Sequence, residues 1–363
     1  MQLHYCAHLG NFGDRINPWL WSRLIPDLLH TDDQTLLLGV GTILSDRIPT
    51  RQHKVVFGSG LGYGAPPQID DSWSFYCVRG PLTAQKLGLA ERFAVTDPAA
   101  LVRTLHYAEG LREGHADGRP AFMPHHLSAR SYNWREIARQ ADMDYIDPCD
   151  SVPSVLNRIF HARLLVTESL HGAIVADALR VPWTAVRAYP HHVLNFKWQD
   201  WCASLGMNYE PMDLPALWDA RHRGNAFFTS ARLAVKRWCL ARGFRYRTWS
   251  PLRPLYSPAH DIEAAVRTLQ ALATGNAACL SRDENIDDAT DRLLFMLDKL
   301  RREQKRTVSQ HALPKPALDA LIPEWWHSPQ GNQIQPCPSS PAARLADVLP
   351  VDESQQCPAR AAA

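Results

Sequence analysis

Short apolar runs of strand length alternate along the chain with longer segments that have helical periodicity. The apolar runs include TLLLGVG (35–41), KVVFGSG (54–60) and SFYCVRG (74–80), which we interpret as buried strands. The segment PLTAQKLGL follows the last of them and begins with Pro81, a residue that is favoured at the first position of a helix. This alternation predicts an α/β fold with a parallel sheet covered by helices.

The same alternation begins again after a polar, glycine-bearing segment, EGLREGHADGRP (109–120). Strand-like runs then include AFMPHH, DYIDP, ARLLVT and WTAVRA, with the helical SVPSVLNRIF and GAIVADALR between them. We therefore predict two Rossmann-like, doubly wound domains, over 1–110 and 119–215, that face each other across a cleft. Ligands of such folds bind beyond the carboxyl ends of the strands.

The chain changes character after residue 220. Residues 221–253 contain nine Arg or Lys side chains and no Asp or Glu, with Trp238 and Trp249 among them. The later run DDATDRLLFMLDKLRREQKR has apolar residues at helical spacing, so it predicts a helix that packs on the rest of the protein. We predict a basic and helical extension over 221–310 and a disordered, Pro-rich tail over 311–363.

Composition and short motifs limit the classes of function that the protein can have. A hydrophobic content of 45% with 21% charged residues and a net charge of +2 is typical of a soluble globular protein. The eight cysteines form no C-x-x-C pair, and the glycines of VFGSGLGYG miss the G-x-G-x-x-G register. We therefore predict no metal, no other cofactor and no nucleic-acid partner. The absence of a signal peptide in MQLHYCAHLGNFGD and of a long apolar run predicts a cytoplasmic protein.

The stretch TESLHGAIVADALRVPW (167–183) is the first candidate for chemistry. It places His171 at the carboxyl end of a predicted strand and the start of a predicted helix. Free backbone N–H groups and the positive end of the helix dipole favour an anion there, and Gly172 leaves room for a ligand. The alternative is a packed helix start in which His171 satisfies a local carbonyl, and position alone does not separate the two.

Three further loops follow predicted strands. In HLGNFGDRINPW, Asp14 is either the N-cap of the next helix or a general base aimed into the cleft. In VRGPLT, Arg79 is either a clamp for phosphate or carboxylate or a structural arginine that covers the strand end. In FMPHH, either His125 or His126 could enter the cleft.

Six segments, in this order, resemble the polysaccharide pyruvyl transferases: NFGDRINPWLW, VRGPLTAQKLG, the Asp-Pro of VTDPAAL, FMPHH, ESLHGAIVADALRVP and KWQDWCASLG. The resemblance is greatest to ketal-pyruvate transferases of succinoglycan- and xanthan-type exopolysaccharide synthesis, and it covers roughly residues 1–210. It implies a fold like the GT-B glycosyltransferases. It also implies transfer of pyruvate from phosphoenolpyruvate to two hydroxyls of one sugar, which gives a cyclic ketal and phosphate.

The resemblance also implies residue roles. His171 would bind the donor and deliver a proton, Asp14 would be the base or a ligand of an acceptor hydroxyl, and Glu168 competes with Asp14 for that role. The residues expected to bind substrate are Arg79, Asn11, Gly13, His125, His126, Ser169, Leu170 and Gly172. Many members have an arginine at the position of Ser169. The second anion of the donor is therefore expected on Arg130, Arg187 or Lys197.

The implied acceptor is an oligosaccharide on a membrane-bound polyprenyl carrier. The basic stretch 221–253 would then bind the anionic inner face of the cell membrane, or else form a solvated face or an RNA-binding patch. Two other functions remain open. One is a GT-B glycosyltransferase that uses a nucleotide sugar. Such an enzyme often recognises the nucleotide through glutamates in its second domain, and Glu168 is the only acid near the relevant loop, which argues against this alternative. The other is a non-catalytic, membrane-associated scaffold.

Overall fold

Nine strands form two parallel sheets in the computed structural model, which describes residues 1–6, 10–29, 34–105, 118–190, 192–219, 222 and 256–309. The first sheet has the order β1-β2-β3-β4. Its strands are β1 (Gln2–His4), β2 (Thr35–Leu38), β3 (His53–Phe57) and β4 (Trp73–Cys77). The predicted strands in TLLLGVG, KVVFGSG and SFYCVRG are thereby confirmed. Their apolar runs are continuous because parallel strands are covered on both faces.

The second sheet has the order β6-β5-β7-β8-β9. Its strands are β5 (Pro120–Met123), β6 (Asp144–Tyr145), β7 (Leu164–Thr167), β8 (Trp183–Arg187) and β9 (Met212–Asp213). The first four were predicted, whereas the two-residue β9 was not. The strand order reverses between β5 and β7. In a doubly wound sheet this reversal opens a crevice beyond the carboxyl ends of the two strands.

Eight α-helices accompany the sheets in the described part of the chain. They are α1 (Phe12–Leu24), α2 (Pro81–Lys86), α3 (Trp134–Gln140), α4 (Val152–Phe160), α5 (Leu170–Ala178), α6 (Asn195–Ser204), α7 (Ala259–Leu272) and α8 (Asp283–Ser309). Pro81 is at the start of α2 as predicted. The prediction that Asp14 is an N-cap is wrong. The Asn11 side chain caps α1 by accepting the Asp14 N–H at 3.1 Å, which places Asp14 inside the first turn.

The long helix α8 packs on the main hydrophobic core, as its sequence predicted. Leu293, Leu297 and Leu300 are buried there with residues of α1 and α5. Polar contacts extend the packing: the Asn285 side chain donates to the Leu205 carbonyl at 2.7 Å, and the Tyr76 hydroxyl donates to Glu303 at 2.5 Å. The helix therefore ties the segment after α6 to β4.

Residues Met1–Gln304, which include both sheets, form one compact unit. The predicted domain limits 1–110 and 119–215 stay predictions. The basic stretch 221–253, except residue 222, and the predicted tail 311–363 lie outside the described residues. Among the described helices, none is both long enough and apolar enough to cross a bilayer.

Replacing Leu297 by alanine should destabilise the protein by about 2–5 kcal/mol, because the side chain is 2% exposed and its loss leaves a cavity. Its neighbour Phe295 is 61% exposed, so Phe295→Ala should change the stability by no more than about 0.5 kcal/mol. Urea unfolding followed by fluorescence measures both. Equal midpoints for the two variants would contradict the packing of α8.

Candidate functional site

The loop after β1 meets the second sheet at the start of α1. The Phe12 N–H donates to the Pro148 carbonyl at 2.7 Å, and the Arg15 guanidinium donates to the Cys149 carbonyl at 2.8 Å. Gly13 lies against His171: a Cβ atom at position 13 would be 2.2 Å from its Nδ1. Gly13 is therefore needed for the starts of α1 and α5 to touch. The predicted site residues that follow β1 and β7 are indeed brought together.

Besides Gly13, His171 also faces the buried carboxyl group of Asp97. Asp97 caps a short 3₁₀ helix, Pro98–Thr104, by accepting the Ala99 N–H at 2.9 Å through Oδ1. Its other oxygen, Oδ2, is 3.8 Å from His171 Nε2. Both atoms are buried, and neither has a hydrogen-bond partner among the described residues. Unpaired buried polar atoms are rare, so this pair is a candidate for a functional role.

Burial shifts the two partners in opposite directions. It raises the pKa of Asp97 to about 6, against the lowering effect of the Ala99 N–H. It lowers the pKa of His171 to about 3, and the positive charges of Lys197 and Arg79 lower it further. At neutral pH the pair is therefore a carboxylate beside a neutral imidazole. Sequence reasoning noticed the Asp-Pro of VTDPAAL without assigning Asp97 a role.

The first turn of α5 is shaped by its own side chains. Ser169 is the N-cap and accepts the Gly172 N–H at 3.3 Å, while the Thr167 hydroxyl accepts the Ser169 N–H at 2.9 Å. Leu170 is buried in the core, and a Cβ at Gly172 would be 2.9 Å from Met123 Sδ. His171 thus lies within the helix and not in a turn before it. Substrate contacts by Ser169, Leu170 and Gly172 stay predictions.

Glu168 cross-links the ends of three strands. One oxygen accepts the N–H groups of Ala188 at 2.8 Å and Tyr189 at 3.3 Å, and the other accepts the His125 N–H at 3.3 Å. Burial raises the pKa of this carboxyl, and the hydrogen bonds oppose the rise. These contacts favour a positioning role for Glu168 over the base that the sequence offered as an alternative.

Asp14 is the more accessible acid. Its side chain accepts from Asn11 Nδ2 at 2.5 Å and is only partly buried. Burial raises its pKa to about 6, although the bond from Asn11 and the charge of Lys197 oppose the rise. A carboxyl that titrates near neutral pH in such a position can act as a general acid or base.

Two histidines follow β5. The rings of His125 and His126 are 4.2 Å apart. The Leu127 N–H donates to His125 Nδ1 at 3.3 Å, which requires that nitrogen to carry no proton. Burial, followed by neighbouring positive groups that include Lys197, lowers the pKa of His125 strongly and that of His126 to about 4. Both imidazoles are therefore neutral at pH 7.

Lys197 is the common neighbour of these groups. It lies on α6, and its charge affects the pKa of Asp14, His125, His126 and His171. Arg187, by contrast, forms an ion pair with Asp213 at 3.0 Å. Arg130 affects the pKa of His126 alone among these four residues. Of the three cations expected to replace the missing arginine at position 169, Lys197 has the most central position.

Arg79 is buried in an ion pair with Asp200 of α6, at 3.0 Å between Nε and Oδ2. Its other two nitrogens donate to the Thr42 hydroxyl at 2.7 Å and the Leu61 carbonyl at 2.8 Å. These contacts favour the structural alternative over a phosphate clamp, and substrate binding by Arg79 stays a prediction. Within the described ranges, no group of three or more His, Cys, Asp or Glu side chains could hold a metal ion.

Comparison with known proteins gives two matches. Residues 11–188 match a family model described as polysaccharide pyruvyl transferase. The chain is also 44% identical over 209 residues to the succinoglycan biosynthesis protein ExoV of Rhizobium meliloti (strain 1021). That alignment covers 57% of this chain and spans 65% of the relative's length. No solved structure matches the chain significantly.

Asp97→Asn should make the protein more stable at pH 8 while it impairs the site. The pKa of Asp97 is raised from 3.8 to about 6, so the folded state favours the protonated acid. The resulting stability is present at low pH and is lost as pH rises through about 6. We expect the variant to gain on the order of 1–3 kcal/mol over wild type at pH 8 and nothing below about pH 4.

Urea midpoints measured across this pH range test the expectation. The exposed Asp291 of α8 provides the matched control, because Asp291→Asn replaces a carboxylate that is not buried. A variant at position 97 that is no more stable than wild type at pH 8 would show that Asp97 is not held as an unfavourable buried carboxylate.

Proposed function

Residues 11–188 belong to the polysaccharide pyruvyl transferase family, and from this premise we propose that the protein transfers pyruvate from phosphoenolpyruvate to a sugar of an exopolysaccharide repeat unit. The product is a cyclic ketal, with release of phosphate. One observation carries the proposal: the ammonium of Lys197 stands among a titratable carboxyl, Asp14, and three neutral histidines. A small donor with a phosphate and a carboxylate requires a cation and hydrogen-bond donors in this combination.

The proposal includes a GT-B-like arrangement. The reversal of strand order between β5 and β7 supports it, because the loops after these two strands carry His125, His126 and His171. The start of α1, which follows β1 of the other sheet, supplies Asn11, Gly13 and Asp14. The donor would lie between the two sets of loops, with the N-terminus of α5 directed toward its negative charge.

The donor's anionic groups are assigned to Lys197 and to N–H donors of His125 and His126. His125 accepts at Nδ1, so its Nε2 carries the proton and can donate. A neutral histidine binds phosphate as a hydrogen-bond donor without a charge that would repel Lys197. Ser169, which caps α5, leaves the charge to Lys197 where related chains have an arginine.

The chemistry requires both proton donation and proton removal. A proton is added to the methylene carbon of phosphoenolpyruvate, and the first sugar hydroxyl then forms a bond to the adjacent carbon and loses its own proton. The second hydroxyl of the same sugar forms the other bond as the C–O bond to phosphate breaks. We assign proton delivery to the protonated fraction of Asp97, relayed to the donor through the neutral imidazole of His171. Asp14 takes the proton of the first sugar hydroxyl, and the departing phosphate takes that of the second.

We propose a lipid-linked oligosaccharide as the acceptor, which would place the enzyme in the cytoplasm at the inner face of the cell membrane. The basic, Trp-bearing stretch 221–253 is the proposed contact with anionic lipids. Flotation with vesicles that contain anionic lipid tests this contact, and a chain that stays unbound at low salt would contradict it.

Purified protein should release phosphate from phosphoenolpyruvate only when a delipidated oligosaccharide acceptor is present, and the product should gain the mass of a pyruvate ketal. His171→Ala should abolish both signals. Turnover of a nucleotide sugar in place of phosphoenolpyruvate would favour the glycosyltransferase alternative. Binding without turnover of either donor would favour the scaffold.

The pH dependence of kcat/KM tests Asp14. Because its pKa is about 6 and the base must be ionised, activity should rise as pH increases through about 6. Asp14→Asn should lower kcat by about 10²- to 10⁴-fold and reduce that rise. The donor phosphate also ionises at pH ~6, so the part of the rise that persists in the variant belongs to the substrate. An unchanged kcat in the variant would contradict the assignment.

Lys197→Met should weaken phosphoenolpyruvate binding about 10- to 100-fold, the expected loss for a hydrogen bond to a charged group. Lys197→Arg should recover part of the affinity. Lys299→Met, on the half-exposed surface of α8, provides the control and should bind as wild type does. Isothermal titration calorimetry measures all three, and unchanged binding by Lys197→Met would exclude Lys197 as the anion ligand.

A further inference from the structure

Tyr63 is an exposed aromatic residue held on a well-tied loop. Its side chain is 51% exposed. The loop is fixed on both sides of it: the Leu44 N–H donates to the Gly60 carbonyl at 3.2 Å, and the Asp46 N–H donates to the Ala65 carbonyl at 2.9 Å. An exposed ring on such a loop is available to a ligand and loses little conformational entropy when it binds one.

The loop also contacts the segment that leads into α6. A Cβ atom at Gly62 would lie 2.3 Å from Thr42 Cγ2 and 3.1 Å from Leu194 Cδ2. Only a glycine allows this approach, which brings Tyr63 to the start of α6. The position of the Tyr63 ring is therefore set by connecting segments of both sheets, the loop after β3 and the segment that leads into α6.

The ring borders the proposed donor site through Lys197. Lys197 Nζ donates to the Tyr63 hydroxyl at 3.0 Å and is 5.3 Å from the ring centroid. These two distances place the ammonium at the hydroxyl end of the ring and not over its centre. The apolar face of Tyr63 thus adjoins the charge to which the donor's anion is assigned.

We infer that Tyr63 is the stacking platform for the acceptor, and that a sugar ring lies with its C–H face on the tyrosine ring beside the Lys197 ammonium. A sugar in this position buries apolar C–H groups on the aromatic face while its hydroxyls, at the ring's edge, extend toward the donor. The inference rests on the proposed function and names the acceptor side of the same site.

Binding of a delipidated oligosaccharide acceptor, measured by calorimetry without donor, tests the inference in the full chain. Tyr63→Phe and Tyr63→Ala both lack the hydroxyl that Lys197 contacts, so they differ only in the ring. Tyr63→Phe should bind the acceptor within about threefold of wild type, whereas Tyr63→Ala should bind it about tenfold more weakly than Tyr63→Phe. Both variants should bind phosphoenolpyruvate equally well. Phe295→Ala removes a similarly exposed ring from α8 and should match wild type.

The outcomes separate the two claims. Equal acceptor affinity for Tyr63→Ala and Tyr63→Phe would overturn the stacking role, even if phosphoenolpyruvate is turned over. An equal loss in Phe295→Ala would overturn it as well. Failure of the wild-type protein to bind phosphoenolpyruvate would instead refute the proposed function, whatever the acceptor does. A Tyr63→Trp variant that binds the acceptor as well as wild type would support the requirement for a flat ring.

Discussion

The buried ion pair between Arg79 and Asp200 fixes the position of the charged groups at the candidate site. It joins the end of β4, in the first sheet, to α6, which follows the last long strand of the second. Asp200 also accepts the Thr83 N–H at 2.8 Å and the Thr83 hydroxyl at 2.6 Å. A Cβ at Gly80 would lie 2.0 Å from the Asp200 carbonyl oxygen, so glycine is required there. Since a buried pair contributes little net stability, its effect is to position α6, and with it Lys197 one turn away.

Burial at the junction of the two sheets is the second constraint, and it shifts the pKa of five side chains there. It favours neutral forms, which raises the pKa of Asp97 and Asp14 and lowers that of His171, His125 and His126. The junction therefore holds acids that titrate near neutral pH beside imidazoles that stay uncharged. Such groups cost stability, and clusters of side chains with shifted pKa values are typical of functional sites.

The sequence predicted the strands and their parallel arrangement because continuous apolar runs bounded by glycine and proline report burial directly. It also predicted that the residues after β5 and β7 lie near each other, since the carboxyl ends of neighbouring parallel strands share an edge. It did not predict which charged side chains form structural contacts within the fold instead of facing a ligand. Arg79 and Glu168 have the residue types expected of ligands, yet their partners, Asp200 and the backbone of Ala188, are distant in sequence. Lys197 was only one of three choices, because nothing local indicates that α6 returns to the site.

The serine at position 169 then has a physical explanation. As the N-cap of α5 it accepts the Gly172 N–H, so the first turn of α5 is held by its own side chain. An arginine at that place would bring a positive charge next to the positive end of the helix, an unfavourable arrangement unless an anion is bound. Here the cation comes from α6, where the Tyr63 hydroxyl holds it at 3.0 Å. In the proposed arrangement, moving the charge from α5 to α6 would couple the donor's anion to an aromatic residue on the acceptor side. The proposed donor and acceptor would then both lie next to the Lys197 ammonium.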